Sequence, residues 1–157
     1  MMLKRYALLA ALLPAALAAA PALAANVAEP AQRIGLTKMT GRWYEVARLP
    51  NKIQRGCQGA TSDWVRTGET FQVVQACQQN GANKQWRAKA RVSDTSTNAK
   101  FKMSFFGGMV NQEYWVLDRA ADHSWVILGT PGGNYAWLMS RGPHLASAVE
   151  SQAGARL

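Results

Sequence analysis

The chain has 157 residues, of which 48% are apolar and 17% are charged, and these values are typical of one globular domain. Six Trp, four Tyr and four Phe exclude a largely disordered chain, and Lys and Arg outnumber Asp and Glu by 18 to 9, which gives a net charge of +9. Two Cys and two His are too few for a cysteine-rich zinc site or a site built from several histidines.

The first residues have the pattern of a secretory signal peptide. A basic start precedes an apolar run of Ala and Leu, and residues 22–24 form the Ala-Leu-Ala sequence typical of a cleavage site. The alternative is a membrane anchor, but two prolines and the cleavage site argue against it. We predict a signal peptide over residues 1–25 and a mature domain over residues 26–157, periplasmic or secreted. No Cys lies near the cleavage site, so a lipoprotein is not expected.

The two cysteines are predicted to form one disulfide. Export would bring Cys57 and Cys77 into an oxidising compartment, where an even pair is typically bonded. Closing a loop of about 20 residues would contribute roughly 3 kcal/mol in the chain-entropy model. The alternative is a redox or nucleophilic thiol, which the absence of a C-x-x-C motif disfavours.

The mature chain predicts a run of short strands, because alternating apolar residues recur between turn signals. Asn80-Gly81 is the strongest hairpin signal. The eight predicted strands cover residues 42–49, 60–66, 71–78, 85–93, 100–106, 113–118, 124–130 and 134–140. A short C-terminal helix is predicted over residues 145–152.

Eight strands joined mostly by short turns exclude a parallel sheet, which needs long crossover connections. Such a meander either packs as two sheets or closes on itself. Closure removes the exposed edges, and eight strands leave an interior that can hold one small ligand. We therefore predict an all-β fold, an eight-stranded antiparallel up-and-down β-barrel with a short C-terminal helix.

The residue pattern distinguishes the two faces of some strands but not of others. In the strands predicted over residues 85–93 and 100–106, basic and apolar residues alternate, so one face is expected to meet water. The strands predicted over residues 113–118, 124–130 and 134–140 are apolar on both faces. Either the C-terminal helix or a partner chain is expected to cover their outer side.

The water-facing side of these two strands carries a basic cluster that could contact an anionic membrane surface or lipopolysaccharide. Its members are Lys84, Arg87, Lys89, Arg91, Lys100 and Lys102. The alternative is an ordinary solvated strand face. No nucleic acid partner is expected for an exported protein.

Residues 41–50, Gly-Arg-Trp-Tyr-Glu-Val-Ala-Arg-Leu-Pro, resemble the G-x-W signature of the lipocalins, in the W-Y-E-x-A-R-x-P form of bacterial members. Arg55-Gly56-Cys57 follows at the expected distance. Three later blocks resemble the same subgroup in the same order, at residues 104–107, 114–118 and 135–141. The resemblance covers residues 35–143, and it implies the lipocalin barrel.

The resemblance also implies roles for single residues. Gly41 and Trp43 would belong to the closed end of the barrel, and Arg141 would pack across the Trp43 ring, a cation–π contact of about 0.5–2 kcal/mol. The family's Thr-Asp-Tyr block is reduced here to Asp118. Many bacterial relatives are lipoproteins, whereas this leader lacks the lipid-accepting Cys, so a soluble periplasmic form is implied.

The resemblance implies binding and carrying of a small hydrophobic ligand, such as a fatty acid, a lysophospholipid or another lipid. The apolar inner face of a small closed barrel agrees with this function. From the alternation we expect a lumen lined by Trp64, Trp86, Ala88, Met103, Phe105, Tyr114, Val116, Trp125, Tyr135 and Trp137. The alternative is that these side chains fill a solid core.

The longest predicted loop, residues 49–58, would lie at the open end of the barrel. Arg48 and Arg55, with Lys52, are candidates for pairing with a phosphate or carboxylate head group. The alternative is that they are ordinary solvated charges.

No catalytic residue, metal ligand or cofactor is predicted. Ser124 follows His123 directly, and adjacent residues of a strand point to opposite faces, so the two are not expected to form a dyad. Glu45 lies on the Trp43 face, where a structural role is expected. The alternative function is an envelope interaction protein or inhibitor that presents exposed aromatics such as Trp115, and a minor third is an isomerase or synthase. The sequence carries no signal for an oligomeric state.

Overall fold

Eight antiparallel strands follow one another along the chain and close into a barrel in the computed structural model, which describes residues 27–157. Each strand pairs with the next, and the first pairs with the last. The strands are β1 Gly41–Arg48, β2 Cys57–Thr67, β3 Thr70–Gln79, β4 Ala82–Val92, β5 Lys100–Phe105, β6 Val110–Arg119, β7 Trp125–Gly129 and β8 Ala136–Ser140. The predicted barrel is therefore confirmed, and the predicted signal peptide lies outside the described residues.

Several strands are longer than the apolar pattern indicated. β2 begins at Cys57 rather than at residue 60, and β6 begins at Val110 rather than at residue 113. The added residues are mostly polar or small, and they join the ladder because strand pairing uses backbone groups. The hairpin at Asn80-Gly81 is confirmed, with φ of 52° and 77°, the positive values that this two-residue turn needs.

Two helices flank the barrel. α1, Leu36–Met39, was not predicted, because four residues are too few to show a helical period. α2, Ser147–Gly154, lies two residues later than predicted. Within residues 27–157 no helix has the length and apolar character needed to cross a membrane.

The two ends of the barrel differ. Ile34 and Met39 are fully buried in the main core at one end, which we call the closed end and which also holds the turns after β2, β4 and β6. The connections after β1, β3, β5 and β7 form the opposite, open end.

The interior next to the closed end is solid. Trp64, Phe71 and Phe101 are fully buried and meet edge to face, with ring centroids 5.3–5.9 Å apart. Such aromatic pairs contribute about 0.5–1.5 kcal/mol each beyond the burial of their area. This cluster holds the closed half together and leaves no room for a ligand beside it.

Of the two expected coverings, the C-terminal helix is the one that packs on the outer face of β7 and β8. Ala153 packs against Ile127 and Leu138, and all three are buried. Trp125 packs in the same outer cluster, whereas Val126 belongs to the inner core. The prediction that Trp125 lines the lumen is therefore wrong. Both faces of β7 are apolar, so alternation alone did not identify the inner one.

Asp118 connects the segment before β1 and the segment after α2 to the barrel. Its carboxylate accepts hydrogen bonds from the Gln32 side chain at 2.9 Å and from the Arg119 backbone N–H at 2.8 Å. It also forms an ion pair with Arg156, just after α2. The segment before β1 and the helix after β8 are thus fixed by one side chain.

Candidate functional site

The open half of the barrel contains a cavity of about 380 Å³, within the size range of small-ligand sites. All eight strands contribute to its wall, together with the connections at the open end. Its lining includes Ala60, Ser62, Trp86, Phe105, Val110, Leu128, Trp137 and Met139. The lumen is therefore a packed core in one half and a preformed pocket in the other.

Aromatic rings form one wall of the cavity. The Trp137 ring lies 5.1 Å from Tyr114 and 5.8 Å from Tyr135, centroid to centroid, and the second pair is stacked. Flat rings in mutual contact give a rigid apolar surface, because they have few rotatable bonds to lose when a ligand binds.

Uncharged polar groups interrupt the apolar wall. Gln75, Gln112, Tyr114 and Thr130 line the cavity. Burial raises the pKa of Tyr114, so the hydroxyl stays protonated at neutral pH. The Thr130 hydroxyl is buried and has no hydrogen-bond partner within residues 27–157. These groups can hydrogen-bond a neutral polar atom of a ligand.

The carboxylate in the wall is neutralised. The Glu45 side chain is only 6% exposed and forms an ion pair with Arg48. Gln54 donates to the same carboxylate at 2.7 Å and accepts from the Trp137 indole at 2.7 Å, while Arg48 also donates to the Cys57 carbonyl at 2.9 Å. This network fixes the β1–β2 connection over the cavity, and it commits Arg48 to a structural contact.

The predicted disulfide is present. Cys57 at the start of β2 and Cys77 near the end of β3 are bonded, with their Cα atoms 5.6 Å apart. Both pack with Ala60 and Trp86 at the open half of the barrel. The disulfide therefore braces the part of the wall that has no solid core behind it.

The residues predicted to line the lumen divide into three groups. Five line the cavity, namely Trp86, Phe105, Tyr114, Tyr135 and Trp137. Four are buried in the main core outside the cavity lining, namely Trp64, Ala88, Met103 and Val116. Trp125 lies on the outer face. The alternative of a solid core thus describes the closed half and not the open one.

The two head-group candidates lie in different surroundings. Arg48 is engaged by Glu45, whereas Arg55 is exposed in the β1–β2 connection. Among the described residues no carboxylate forms an ion pair with Arg55. The Gln79 side chain donates to the backbone carbonyls of Ile53 and Arg55 at 3.1 and 2.9 Å, which holds this loop in place.

The closed end shows the predicted contact between Arg141 and Trp43. The guanidinium carbon lies 3.6 Å from the ring centroid, and the group donates to the carbonyls of Arg42 and Lys38. Burial lowers the pKa of Arg141. Gly41 has a φ of +95°, and a Cβ at this position would lie 3.5 Å from the guanidinium. These contacts lie away from the cavity and are structural.

The prediction that Trp115 is an exposed contact residue is wrong. The residue is 8% exposed, and the Lys100 ammonium group lies 4.4 Å from its ring centroid. Lys100 also pairs with Glu29, so part of the predicted basic face is used within the chain. The other predicted members are exposed, namely Lys84, Arg87, Lys89, Arg91 and Lys102. The assignment of Lys84 to the outer face is wrong, because Lys84 pairs with Cys77 and shares the inner pleat of β4 with Trp86.

His123 belongs to the closed end and not to the cavity. Its Nε2 accepts from the Gly35 backbone N–H at 3.4 Å. Burial, with the nearby charges of Arg119, Lys38 and Arg141, lowers the pKa of His123. From residue 27 onward, no group of three or more His, Cys, Asp or Glu side chains is placed to hold a metal ion.

Sequence reasoning missed several polar residues of the cavity. Gln75 follows the same alternation as Val73 and Cys77 on β3, so the period-2 pattern already contained its position. Gln54 lies in a connection without any period, and no sequence signal marked it.

Comparison with known proteins agrees with this architecture. The model of the lipocalin-like domain family matches residues 34–157. The chain belongs to the lipocalin family. This lipocalin is 32% identical to the outer membrane lipoprotein Blc of Vibrio cholerae, over 77% of this chain and 72% of that protein. It is 30% identical to apolipoprotein D of Macaca fascicularis, over 70% of this chain and 62% of that protein.

Solved structures share the fold at lower identity. Insecticyanin from the tobacco hornworm Manduca sexta superposes with a TM-score of 0.67 and 20% identity, over 80% of this lipocalin and 73% of that chain. The amine-binding protein of Rhodnius prolixus, solved with tryptamine, gives a TM-score of 0.55 and 17% identity, over 81% of this lipocalin and 75% of that chain. These likenesses concern the barrel alone.

Proposed function

We propose that this lipocalin binds and carries, or scavenges, one small hydrophobic molecule of the cell envelope, with a single-chain lipid as the ligand class. The observation that carries the proposal is the preformed apolar cavity in the open half. Similarity to the outer membrane lipoprotein Blc and to apolipoprotein D supports a lipid ligand. We assign the cavity residues a binding role without a catalytic step.

The chemistry of the cavity wall favours different positions for the acyl tail and the head group of a lipid. Burial of an acyl tail against the aromatic wall would contribute about 25 cal/mol per Å² of apolar area. Among residues 27–157, no Lys, Arg or His lines the cavity, and the Glu45 carboxylate in the lining is already paired with Arg48. An anionic head group is therefore better placed at the open end, beside the exposed Lys52 and Arg55.

Occlusion of the cavity tests the binding role. Ala60 lines the cavity beside Trp86, so Ala60→Trp would place a large ring in the ligand volume. Ala121→Trp is the matched control, because Ala121 is exposed in the β6–β7 turn at the closed end. We expect Ala60→Trp to weaken uptake of lysophosphatidylcholine and palmitate at least about tenfold, equivalent to about 1.4 kcal/mol, and the control to leave uptake unchanged. Equal uptake by both variants would contradict a ligand site in the lumen.

A charge comparison tests the head-group site. Palmitate and the uncharged alcohol of equal chain length differ only in the polar end. Arg55→Ala should weaken palmitate binding about three- to fivefold and leave the alcohol unaffected, because an exposed ion pair contributes at most about 1 kcal/mol. Arg66→Ala, an exposed change at the closed end, is the control. An equal effect on acid and alcohol would exclude pairing at Arg55.

An envelope location without a lipid anchor is part of the proposal. The relative Blc carries the name of an outer membrane lipoprotein, whereas residues 1–25, the predicted signal peptide, contain no Cys. Intact mass spectrometry of the mature protein should give the mass expected for cleavage near residue 24 or 25. A mass that includes an acylated N-terminus would contradict the soluble form.

A further inference from the structure

Exposed apolar side chains are concentrated at the open end of the barrel. Five large apolar residues are exposed within residues 27–157, and four of them lie at the open end, namely Ile53, Phe106, Met109 and Val110. The exception, Val65, lies on β2 near the closed end. We call these four the apolar rim. Such a patch is costly in water, and it marks an interaction surface more often than a solitary exposed residue does.

The backbone at the rim holds Phe106 in an unfavourable conformation. Its φ is +49°, in the left-handed region, although Phe is bulky and its side chain is 63% exposed. The next residue, Gly107, also has a positive φ. Asn or Gly would occupy the position of Phe106 with less strain. An exposed Phe in this strained conformation favours a role for the ring in an interaction outside the folded chain.

The connections at the open end carry positive charge and no negative charge. The four connections at the open end are residues 49–56, 80–81, 106–109 and 130–135. They contain no Asp or Glu, and they present the exposed cations Lys52 and Arg55. Glu45 also lies in the open half, but it is buried and paired with Arg48.

The acidic residues lie elsewhere, on the closed half or on the C-terminal helix. They are Glu29, Asp63, Glu69, Asp94, Glu113, Asp118, Asp122 and Glu150. Cations also lie on the closed half, but there they are accompanied by these carboxylates, whereas an anionic surface that approaches the open-end connections meets no acidic side chain.

We propose that the apolar rim, with Lys52 and Arg55, is a docking surface for an anionic lipid bilayer. Ile53 lies on the β1–β2 connection, whereas Phe106, Met109 and Val110 lie on the β5–β6 hairpin. Ile53, Phe106 and Val110 also line the cavity, so the rim lies at the cavity entrance. Their side chains can enter the interface of the bilayer while the two cations meet lipid phosphates. The cavity then faces the membrane, so a single-chain lipid passes between bilayer and lumen without crossing water.

Vesicle binding tests this surface independently of ligand binding. Ligand-free protein is sedimented with vesicles of phosphatidylcholine and phosphatidylglycerol, and with vesicles of phosphatidylcholine alone. We expect binding to the anionic vesicles that weakens with salt, and at least about tenfold weaker binding to the neutral ones. Met109→Ser should weaken anionic-vesicle binding, because Met109 is 86% exposed and lies outside the cavity lining. Val65→Thr, a matched loss of apolar surface at the other end, should have no effect.

Two double variants that remove positive charge distinguish binding through the open end from binding through the basic cluster on β4 and β5. The double variant Lys52→Gln/Arg55→Gln should weaken anionic-vesicle binding about tenfold or more. The double variant Lys89→Gln/Arg91→Gln on β4 should leave that binding unchanged. Loss of binding in the β4 pair with no loss in the rim pair would overturn the proposal, as would equal binding of wild type and Met109→Ser. Phe106→Asn suits the positive φ, so it should fold normally and bind vesicles weakly.

The two proposals fail in distinguishable ways. The occluded Ala60→Trp variant should lose ligand uptake and keep full binding to anionic vesicles. Met109→Ser should lose vesicle binding and keep uptake of lipid added as monomers. If both properties disappeared together in each variant, docking would not be separable from the cavity, and the assignment of docking to the rim would be wrong.

Discussion

Two phenylalanines on one strand face the solid half and the open half of the barrel. Phe101 and Phe105 both point inward from β5, four residues apart. Phe101 is fully buried, and its ring centroid lies 5.3 Å from Trp64 and 5.9 Å from Phe71. Phe105 is partly exposed and lines the cavity. The same substitution at the two positions therefore measures the difference between a packed core and a ligand pocket.

The expected cost differs between the two sites. Phe101→Ala removes a packed ring and leaves a closed void, which costs about 3–5 kcal/mol. Phe105→Ala removes a ring that already borders open space, so it creates no new closed void. We expect about 1–2 kcal/mol there, because the ring is only partly buried. For a domain of this size each kcal/mol corresponds to a fall in Tm of about 3–5 °C.

Urea unfolding followed by Trp fluorescence gives both values, provided that the m-values stay equal to that of wild type. Since a total stability of about 5–15 kcal/mol is usual, Phe101→Leu serves as a milder variant if Phe101→Ala does not fold. Phe105→Ala should lower lipid affinity, whereas the Phe101 variants should keep it. Equal losses of stability at the two positions would refute the division of the lumen into a solid half and an open half.

Three further predictions concern contacts that stabilise the barrel. Replacing Cys57 and Cys77 with Ser should cost about 3 kcal/mol of unfolding free energy, and reduction of the wild type should cost the same; no change would show that the disulfide does not constrain the unfolded chain. Because burial lowers the pKa of His123 below 6.5, the unfolded chain binds more protons, and stability should fall as the pH falls below 6.5. His123→Asn should flatten the fall in urea midpoint between about pH 7 and pH 5, and an unchanged slope would exclude His123 as its source. A double-mutant cycle of Glu45→Gln and Arg48→Met should give a coupling energy of about 1–3 kcal/mol in the free energy of unfolding. Additive effects of the two substitutions would show that this ion pair does not stabilise the fold.

The sequence predicted the inner face correctly where one face of a strand is charged. On β4 and β5 the basic residues mark the water side, so Trp86 and Phe105 could be placed in the lumen. On β7 both faces are apolar, because α2 covers the outer one. The alternation pattern therefore did not distinguish the inner face of β7 from the outer face, and Trp125 was assigned to the wrong one. Trp115 was placed correctly on the outer face, but its ring is buried because the neighbouring Lys100 covers it.

Depth along the lumen could not be predicted from alternation. Met103 and Phe105 share one face of β5, yet Met103 is part of the solid core and Phe105 lines the cavity. The boundary depends on how Ile34 and Met39 of the segment before β1 seal the closed end. That contact joins residues far apart in sequence, so no local period reports it. The network around Gln54 was missed for the same reason.

Native mass spectrometry of the purified, oxidised protein tests the central claim most directly. Organic extraction then identifies any molecule released. A preformed apolar cavity predicts one apolar molecule for each chain, or uptake of one added palmitate or lysophosphatidylcholine, and loss of both in Ala60→Trp. A protein that carries no such molecule and takes up neither lipid would contradict a ligand site in the lumen.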